Sequence, residues 1–361
     1  MIKLENKDFI VENDGKRFVD VVRLLPDRTS DIREIVKEMV GDKVTIYSRI
    51  RAKSKGSGSK KVTINRFIEL DELFFEGLGL WQAEGGKSKG IYFGNTCIEI
   101  IQRFVKFVEE KLAIPKEKFK VHMIVPAMKE PEDIIKKRWS DILEMEVNNF
   151  TKISILPRTN LEYAHLYFNS EILLELFKLL HENLKPVILR YPDFAASFIR
   201  GVIAGESQVE LKPWKTMNYI SISSKDLNEV SFYKLCLKSL GIESGPYDYT
   251  GMKFPIYGKD NFDKVRDFKL MDLHPTKKSK FETGMKNYQR IVSDPRTIET
   301  LILRHSTIPK TYAELAKLLK KGRSTIQSFY IPRLEKKGLI KRLGKQNRAW
   351  LFQTVKEFIP L

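Results

Sequence analysis

Cysteine is nearly missing from this 361-residue chain, which holds only Cys97 and Cys236. Each stands in an apolar segment with no Cys or His at metal-binding spacing. A disulfide framework or zinc ribbon is therefore excluded as the organising feature, and both are expected to be buried free thiols. No run of about 18 apolar residues occurs, which excludes a membrane-spanning helix. The opening Met1-Ile2-Lys3-Leu4-Glu5-Asn6-Lys7 lacks the apolar stretch of a secretory signal, so the expected location is cytoplasmic, with no membrane partner. Acid is also scarce relative to base: 46 Asp+Glu face 64 Lys+Arg, a net charge of +18 and a pI of about 9.6. That imbalance favours a polyanionic partner, although charge alone does not separate DNA from RNA or an anionic membrane.

What is present can build a large core. Hydrophobic residues make up 42% of the chain, 22 of them Phe, and the length suggests two or three domains at about 100–200 residues each. Residues 1–70 read as a small α+β unit. A helix is expected at Asp31–Met39, followed by a hairpin with arms Lys43–Arg51 and Lys60–Ile68 around the Gly/Ser-rich loop Ser54–Ser59. The polar face of this hairpin, with Arg49 and Arg51, is basic; it suits phosphate contact or an ordinary solvated sheet face.

An internal repeat follows, spanning 71–190 and 191–295. The first copy has a helix at Asp71–Ala83 ending in Glu84-Gly85-Gly86, a strand with Ile91–Thr96 and a helix at Glu99–Leu112. The second has a helix from Pro192-Asp193 to Gly205 ending in Glu206-Ser207, strands Gln208–Lys212 and Tyr219–Ser223, and a helix at Asn228–Leu240. Each half then ends in a strand leading into a helix, His165–Phe168 before Glu171–Leu180 and Phe254–Tyr257 before Asn261–Phe268. Two alike halves imply pseudo-twofold symmetry, which matches the local twofold of a duplex.

Residues 296–361 change character, with 14 Lys/Arg against 4 Asp/Glu from residue 297 onward. Helices at Ile298–Arg304, Tyr312–Leu319 and Ser324–Lys336, then a basic hairpin around Gly344, are the order of a winged helix-turn-helix. Its third helix offers Arg323, Ser324, Thr325, Gln327 and Ser328 to a major groove, and its wing offers Lys341, Arg342, Lys345 and Arg348. The same fold used for protein contacts is the alternative.

The two repeat helices share an arrangement: small residues four apart (Gly79 and Ala83; Gly201 and Gly205), then Glu where the helix ends. Residues i and i+4 share a face, and helix-interior glycine costs roughly 1 kcal/mol against Ala, so these faces are expected to pack backbone against backbone. Parallel packing would bring Glu84 and Glu206 together. A helix C-terminus disfavours an acid, and two carboxylates about 4 Å apart repel by roughly 4 kcal/mol at an effective dielectric of 20. A divalent ion removes both penalties, and oxygen ligands suit Mg²⁺ or Mn²⁺.

At these residues, over about 70–295 and including the run Glu69-Leu70-Asp71-Glu72, the chain resembles the LAGLIDADG homing endonucleases in their single-chain, two-motif form. The resemblance implies an α+β fold of pseudo-twofold αββαββα-type repeats with saddle-shaped antiparallel sheets, beside the small N-terminal α+β unit and the C-terminal winged helix. It further implies that the acids at the eighth motif position, Glu84 and Glu206, bind Mg²⁺ (or Mn²⁺), and that a monomer cuts both strands of double-stranded DNA across the minor groove. Gln82 and Ala204 replace the frequent first acid, and Gly205 and Ser207 replace Ala and Gly. The basic residues that order water in family sites do not align; Lys120, Lys253 and Lys259 are candidates by location, and Lys212 joins the expected DNA contacts. The alternative functions are a non-cutting DNA-binding regulator on the same scaffold and, more distantly, an RNA-binding maturase.

Overall fold

The computed structural model describes residues 9–30, 33–50, 59–88, 90–127, 130–157, 161–288, 294–346 and 349–355. Arg51, Arg348 and most of the Ser54–Ser59 loop lie outside them. The chain is mixed α+β with several antiparallel sheets. It divides into two compact units, one of residues 1–210 with 219–282, the other of residues 211–218 with 283–361. No helix among the described residues is long and apolar enough to cross a membrane.

In the first unit, strands Ile10–Asn13 and Lys16–Asp20 form a hairpin over Asp14-Gly15, both at positive φ (48° and 74°), the backbone that lets a two-residue turn follow strand twist. Phe67–Glu69 adds a third strand to Lys16–Asp20. A second sheet runs Arg28–Ser30, Arg33–Val40, Lys43–Ile50, Val62–Asn65 in that order.

Two expectations are corrected here. The helix expected at Asp31–Met39 is the strand Arg33–Val40, paired antiparallel with Lys43–Ile50 over all eight residues. The two-residue turn Gly41-Asp42, with Gly41 at φ 62°, closes that hairpin; cross-strand pairing outweighs the helix preference of its Glu, Lys and Met. The second hairpin arm is also not one strand. Arg66 breaks it, donating to both Asp20 carboxylate oxygens (3.2 and 2.9 Å), and sends Phe67–Glu69 to the other sheet.

The core is built on two helices, Glu72–Glu84 and Pro192–Glu206. Asp71 caps the first by accepting from the Phe74 N–H at 3.0 Å; Pro192 starts the second. Residues Leu73–Trp81 and Ala195–Ala204 are buried on every side, as expected of central helices. Lys111, from helix Ile98–Leu112, bridges Glu69 (3.3 Å) and Asp71 at the start of the first core helix. Trp81 and Phe107 both meet Phe177 of helix Glu171–Arg190, at 5.1 and 5.9 Å between ring centres. Phe198 meets Phe232 of helix Leu227–Ser239 at 5.4 Å.

After the first core helix comes a five-stranded sheet, ordered Phe150–Ile155, Lys120–Val125, Tyr163–Phe168, Ile91–Asn95, Gly85–Gly86. All its pairs are antiparallel except the first, Lys120–Val125 with Phe150–Ile155, which is parallel and bridged by helix Glu132–Leu143. After the second core helix the sheet has three strands, Ser207–Leu211, Met217–Ser223 and Lys253–Ile256.

In the second unit, helices Pro295–His305, Tyr312–Leu318 and a third helical run stand against a three-stranded sheet ordered Lys310–Thr311, Ala349–Thr354, Ile340–Gln346. Their core includes Ile302, Leu315, Ile326, Ile331 and Phe352. The third run passes from Arg323–Thr325 through a π turn, Ile326–Tyr330, into Ile331–Lys336. Pro332 lacks the N–H that an α-helix would aim at the Ser328 carbonyl, which accounts for the wide turn.

Candidate active site

The two core helices lie side by side and parallel. Phe75 stacks on Phe194 at 4.4 Å, a Cβ on Gly79 would overlap the Phe198 carbonyl oxygen, and one on Gly201 would overlap the Glu76 carbonyl oxygen and lie 2.7 Å from the Leu80 nitrogen. Near the C-terminal end, a Cβ on Gly205 would lie 2.7 Å from Ala83 Cβ and 2.9 Å from Glu84 Cγ. Only glycine permits this ladder, whose contacts advance in step along both chains. The ladder is locked at mid-height by buried Glu76, which accepts from Arg200 of the second helix and Arg103 of helix Ile98–Leu112, each at 2.5 Å.

Parallel packing carries Glu84 and Glu206 to the same end. Glu84 accepts from Asn95 Nδ2 at 2.8 Å. Burial pushes its carboxyl above the usual range, against the opposing charge of Lys277 and the Asn95 bond. The Glu206 carboxyl is pushed up to about 6, first by burial and then by the negative charge of Glu84, with Lys277 and Lys87 acting the other way. Gln82 stands beside the buried Tyr233.

Two cations beside this pair were not legible in the sequence. Lys277, on helix Pro275–Lys286, donates to the carbonyls of Ile203, Ala204 and Gly205 at 3.0, 2.7 and 3.1 Å. Burial pushes its ammonium down to about 8, with Glu84 and Glu206 opposing. Lys87 donates to the Trp81 carbonyl at 2.7 Å with its nitrogen 3.4 Å from the Trp81 ring centre. Trp81 and Ile203 each stand three residues before their glutamate, so one lysine side chain caps the carbonyl end of each core helix.

The lysines expected from location each have their own surroundings. Lys120 is exposed at the start of its strand, Lys253 lies 6.0 Å from the Tyr219 ring centre, and Lys259 pairs with Asp263 at 2.6 Å. Cys236 is buried, as expected, but Cys97 is only half-buried. It heads helix Ile98–Leu112 and donates to Glu99 at 3.1 Å, because the first residue of a helix faces outward more than its body. Among the described residues His181, Glu182 and Glu229 also converge. There Lys185 already bonds Glu229 at 2.8 Å, opposite the 2.9 Å bond from His181, which makes the group an ion-paired strut between helices.

The remaining expected contacts are outward-facing. Arg323, Ser324, Thr325, Gln327 and Ser328 are all exposed on the third helical run of the second unit. Lys341 is exposed; Arg342 pairs with Glu335 at 3.3 Å and, like Lys345, lies 4.9 Å from the Trp350 ring centre. Lys212 lies 5.9 Å from the Trp214 ring centre, and Arg49 is exposed beside Glu34 at 3.6 Å.

No protein-family model matches the chain, and no curated protein matches it. Solved structures do. The N-terminal LAGLIDADG domain of DUF199/WhiA is 12% identical, covering 62% of this chain and 87% of that one at a TM-score of 0.33. Full-length DUF199/WhiA from Thermatoga maritima is 13% identical, covering 74% and 91% at 0.37. I-DmoI in complex with DNA and Ca is 16% identical, covering 57% and 93% at 0.31. The structural neighbours thus include LAGLIDADG domains, all at low identity and low TM-score.

Proposed function

We propose that the chain is a DNA-binding protein of LAGLIDADG type whose Glu84 and Glu206 hold a divalent metal and cut double-stranded DNA. The observation that carries this reading is the half-buried carboxylate pair at the end of two parallel, glycine-faced helices. Glu206 is pushed up to about 6 there by burial and by Glu84. The donor set fits Mg²⁺ or Mn²⁺: the acidic oxygens are hard ligands, and their mutual repulsion is what a divalent ion relieves. When bound, such an ion supplies charge neutralisation at the phosphate and activation of water. Asn95 orients Glu84, and Lys277 and Lys87 hold the helix ends.

The second unit is proposed to be a winged helix that binds duplex DNA through Arg323, Ser324, Thr325 and Gln327, with Lys341, Arg342 and Lys345 on its wing. One observation favours a non-cutting regulator instead. Lys277 already supplies a positive charge to both glutamates, so the pair persists without metal. The test is cleavage of a genomic-fragment library with Mg²⁺ or Mn²⁺, followed by sequencing of the broken ends. Site-specific breaks lost in Glu84→Gln and Glu206→Gln, with DNA binding retained, support the nuclease; breaks that persist in the double variant remove the assignment.

A further inference from the structure

The five-stranded sheet has one face in the core and one outside it. Ile91, Phe93, Val121, Met123, Ala164 and Leu166 are buried on the inner face. On the outer face the register sets His122 opposite His165, His165 opposite Gly94, and Tyr167 opposite Tyr92. A solvated antiparallel face ordinarily alternates in charged and small polar residues. This one carries the rings of Tyr92, His122, Tyr163, His165 and Tyr167, all half-buried.

These rings meet one another in a continuous field. Tyr92 lies nearly parallel to Tyr167 at 6.2 Å and 5.8 Å from His165, which in turn lies 6.0 Å from Tyr163. Glycine gives them room: a Cβ on Gly94 would collide with the Tyr163 ring, and one on Gly86 would lie 2.9 Å from Tyr92 Cβ. The four longer strands of the sheet hold no Asp or Glu, while Lys120 and Lys152 are exposed on them. The surface therefore joins aromatic faces to positive charge.

Within a duplex, base faces are covered by their neighbours and only edges reach the grooves. Ring faces gain most against unpaired bases, where stacking is tolerant of sequence. We propose that this sheet face is a stacking platform for a locally unpaired segment of DNA that runs into the Glu84–Glu206 pair. The inference rests on the DNA-binding reading above and specifies the form of the ligand. The connection to the pair runs through Tyr163, which lies over Gly94 on the outer face and whose hydroxyl feels the charge of Glu84. Burial and the Glu84 charge both raise the Tyr163 hydroxyl, and burial with neighbouring charge lowers His122 and His165.

The test measures fluorescence anisotropy of the full chain with a labelled, unstructured single-stranded DNA, its duplex, and an RNA of the same sequence, at fixed salt. The double variant Tyr92→Leu, Tyr167→Leu should lose about tenfold or more in affinity for the single strand and under about twofold for the duplex. Tyr92→Phe, Tyr167→Phe keeps the rings and loses only the hydroxyl bonds to Asn169 and Thr151, so it should bind as wild type does. Unchanged single-strand affinity in the Leu variant overturns the proposal, as does an equal loss on single strand and duplex. Wild type that binds only duplex, or prefers the RNA tenfold, overturns it while leaving nucleic-acid binding intact. Wild type that binds none of the three sinks the DNA-binding reading itself.

Discussion

Lys277 donates to the carbonyl of Gly205 at 3.1 Å, which places a tethered ammonium one residue from Glu206. Its bonds to Ile203 and Ala204 make it the cap of the second core helix, and Glu84 and Glu206 both act on its charge. Replacing it by methionine leaves three helix-end carbonyls without this donor and two carboxylates without their strongest compensating charge. Without divalent ions, Lys277→Met should destabilise the first unit by on the order of 3 kcal/mol. Added Mn²⁺ should then raise its melting midpoint more than it raises that of wild type. Equal shifts in the two proteins would show that ion and lysine do not compete.

The glycine ladder sets a steric prediction. A Cβ on Gly201 overlaps the Glu76 carbonyl oxygen, which belongs to the helix backbone and cannot turn aside. Gly201→Ala should cost on the order of 1–3 kcal/mol, read as a lower melting midpoint of the first unit. Gly344, which has nothing within 4 Å of its notional Cβ, serves as the tolerant control. A midpoint unmoved by Gly201→Ala would mean that the core helices part more readily than their contacts imply.

The strut at Glu229 makes stability depend on pH. Burial alone would raise this carboxyl, but His181 and Lys185 outweigh it and hold Glu229 at about 2. A carboxyl lowered on folding stabilises above its unfolded value of about 4.3, and that contribution fades as pH falls through the folded value. By linkage it amounts to at most about 3 kcal/mol. Glu229→Gln should flatten the stability profile between about pH 4.5 and pH 2, measured by urea denaturation. A slope there that is the same in both proteins would remove Glu229 from the acid response.

For the second unit, Arg323 and Gln327 should read base edges while Lys341 meets phosphate. Within the full chain, Lys341→Ala should lower the slope of log K against log salt by about 0.9 without changing sequence preference. Arg323→Ala or Gln327→Ala should relax preference at one position, at about 1–3 kcal/mol. Selection from a randomised duplex pool separates the two behaviours, and identical selected sequences for all three variants would displace the third helical run from the groove.

The sequence carried the two core helices because their signals are local: Asp71 as cap, Pro192 as start, glycines four apart and a glutamate at each end. It misassigned Arg33–Val40, whose fate depends on pairing with Lys43–Ile50. It gave no sign of helix Pro275–Lys286, since PTKKSKFETGMK offers almost no apolar face beyond Phe281 and Met285. Lys277 was lost with that helix, and among 64 basic residues nothing nearby in sequence distinguishes it from Lys120 or Lys259. The strand Lys120–Val125 and helix Glu132–Leu143 were also missed, although the former alternates buried and outward residues along its whole length.

The bridge from Lys111 to Glu69 and Asp71 makes the beginning of the chain hard to shed. Leu70 donates its N–H to the Arg17 carbonyl at 2.7 Å, and Asn65 donates to the Lys111 carbonyl at 3.1 Å. A fragment starting at Asp71 would thus keep its capping residue while stripping away Glu69, the second acid that holds Lys111 in place. It would also bare the side of helix Ile98–Leu112 against which Asn65 is fastened. The first seventy residues behave as a brace for the opening turn of the first core helix, so trimming the protein from this end is expected to loosen the scaffold on which Glu84 is carried.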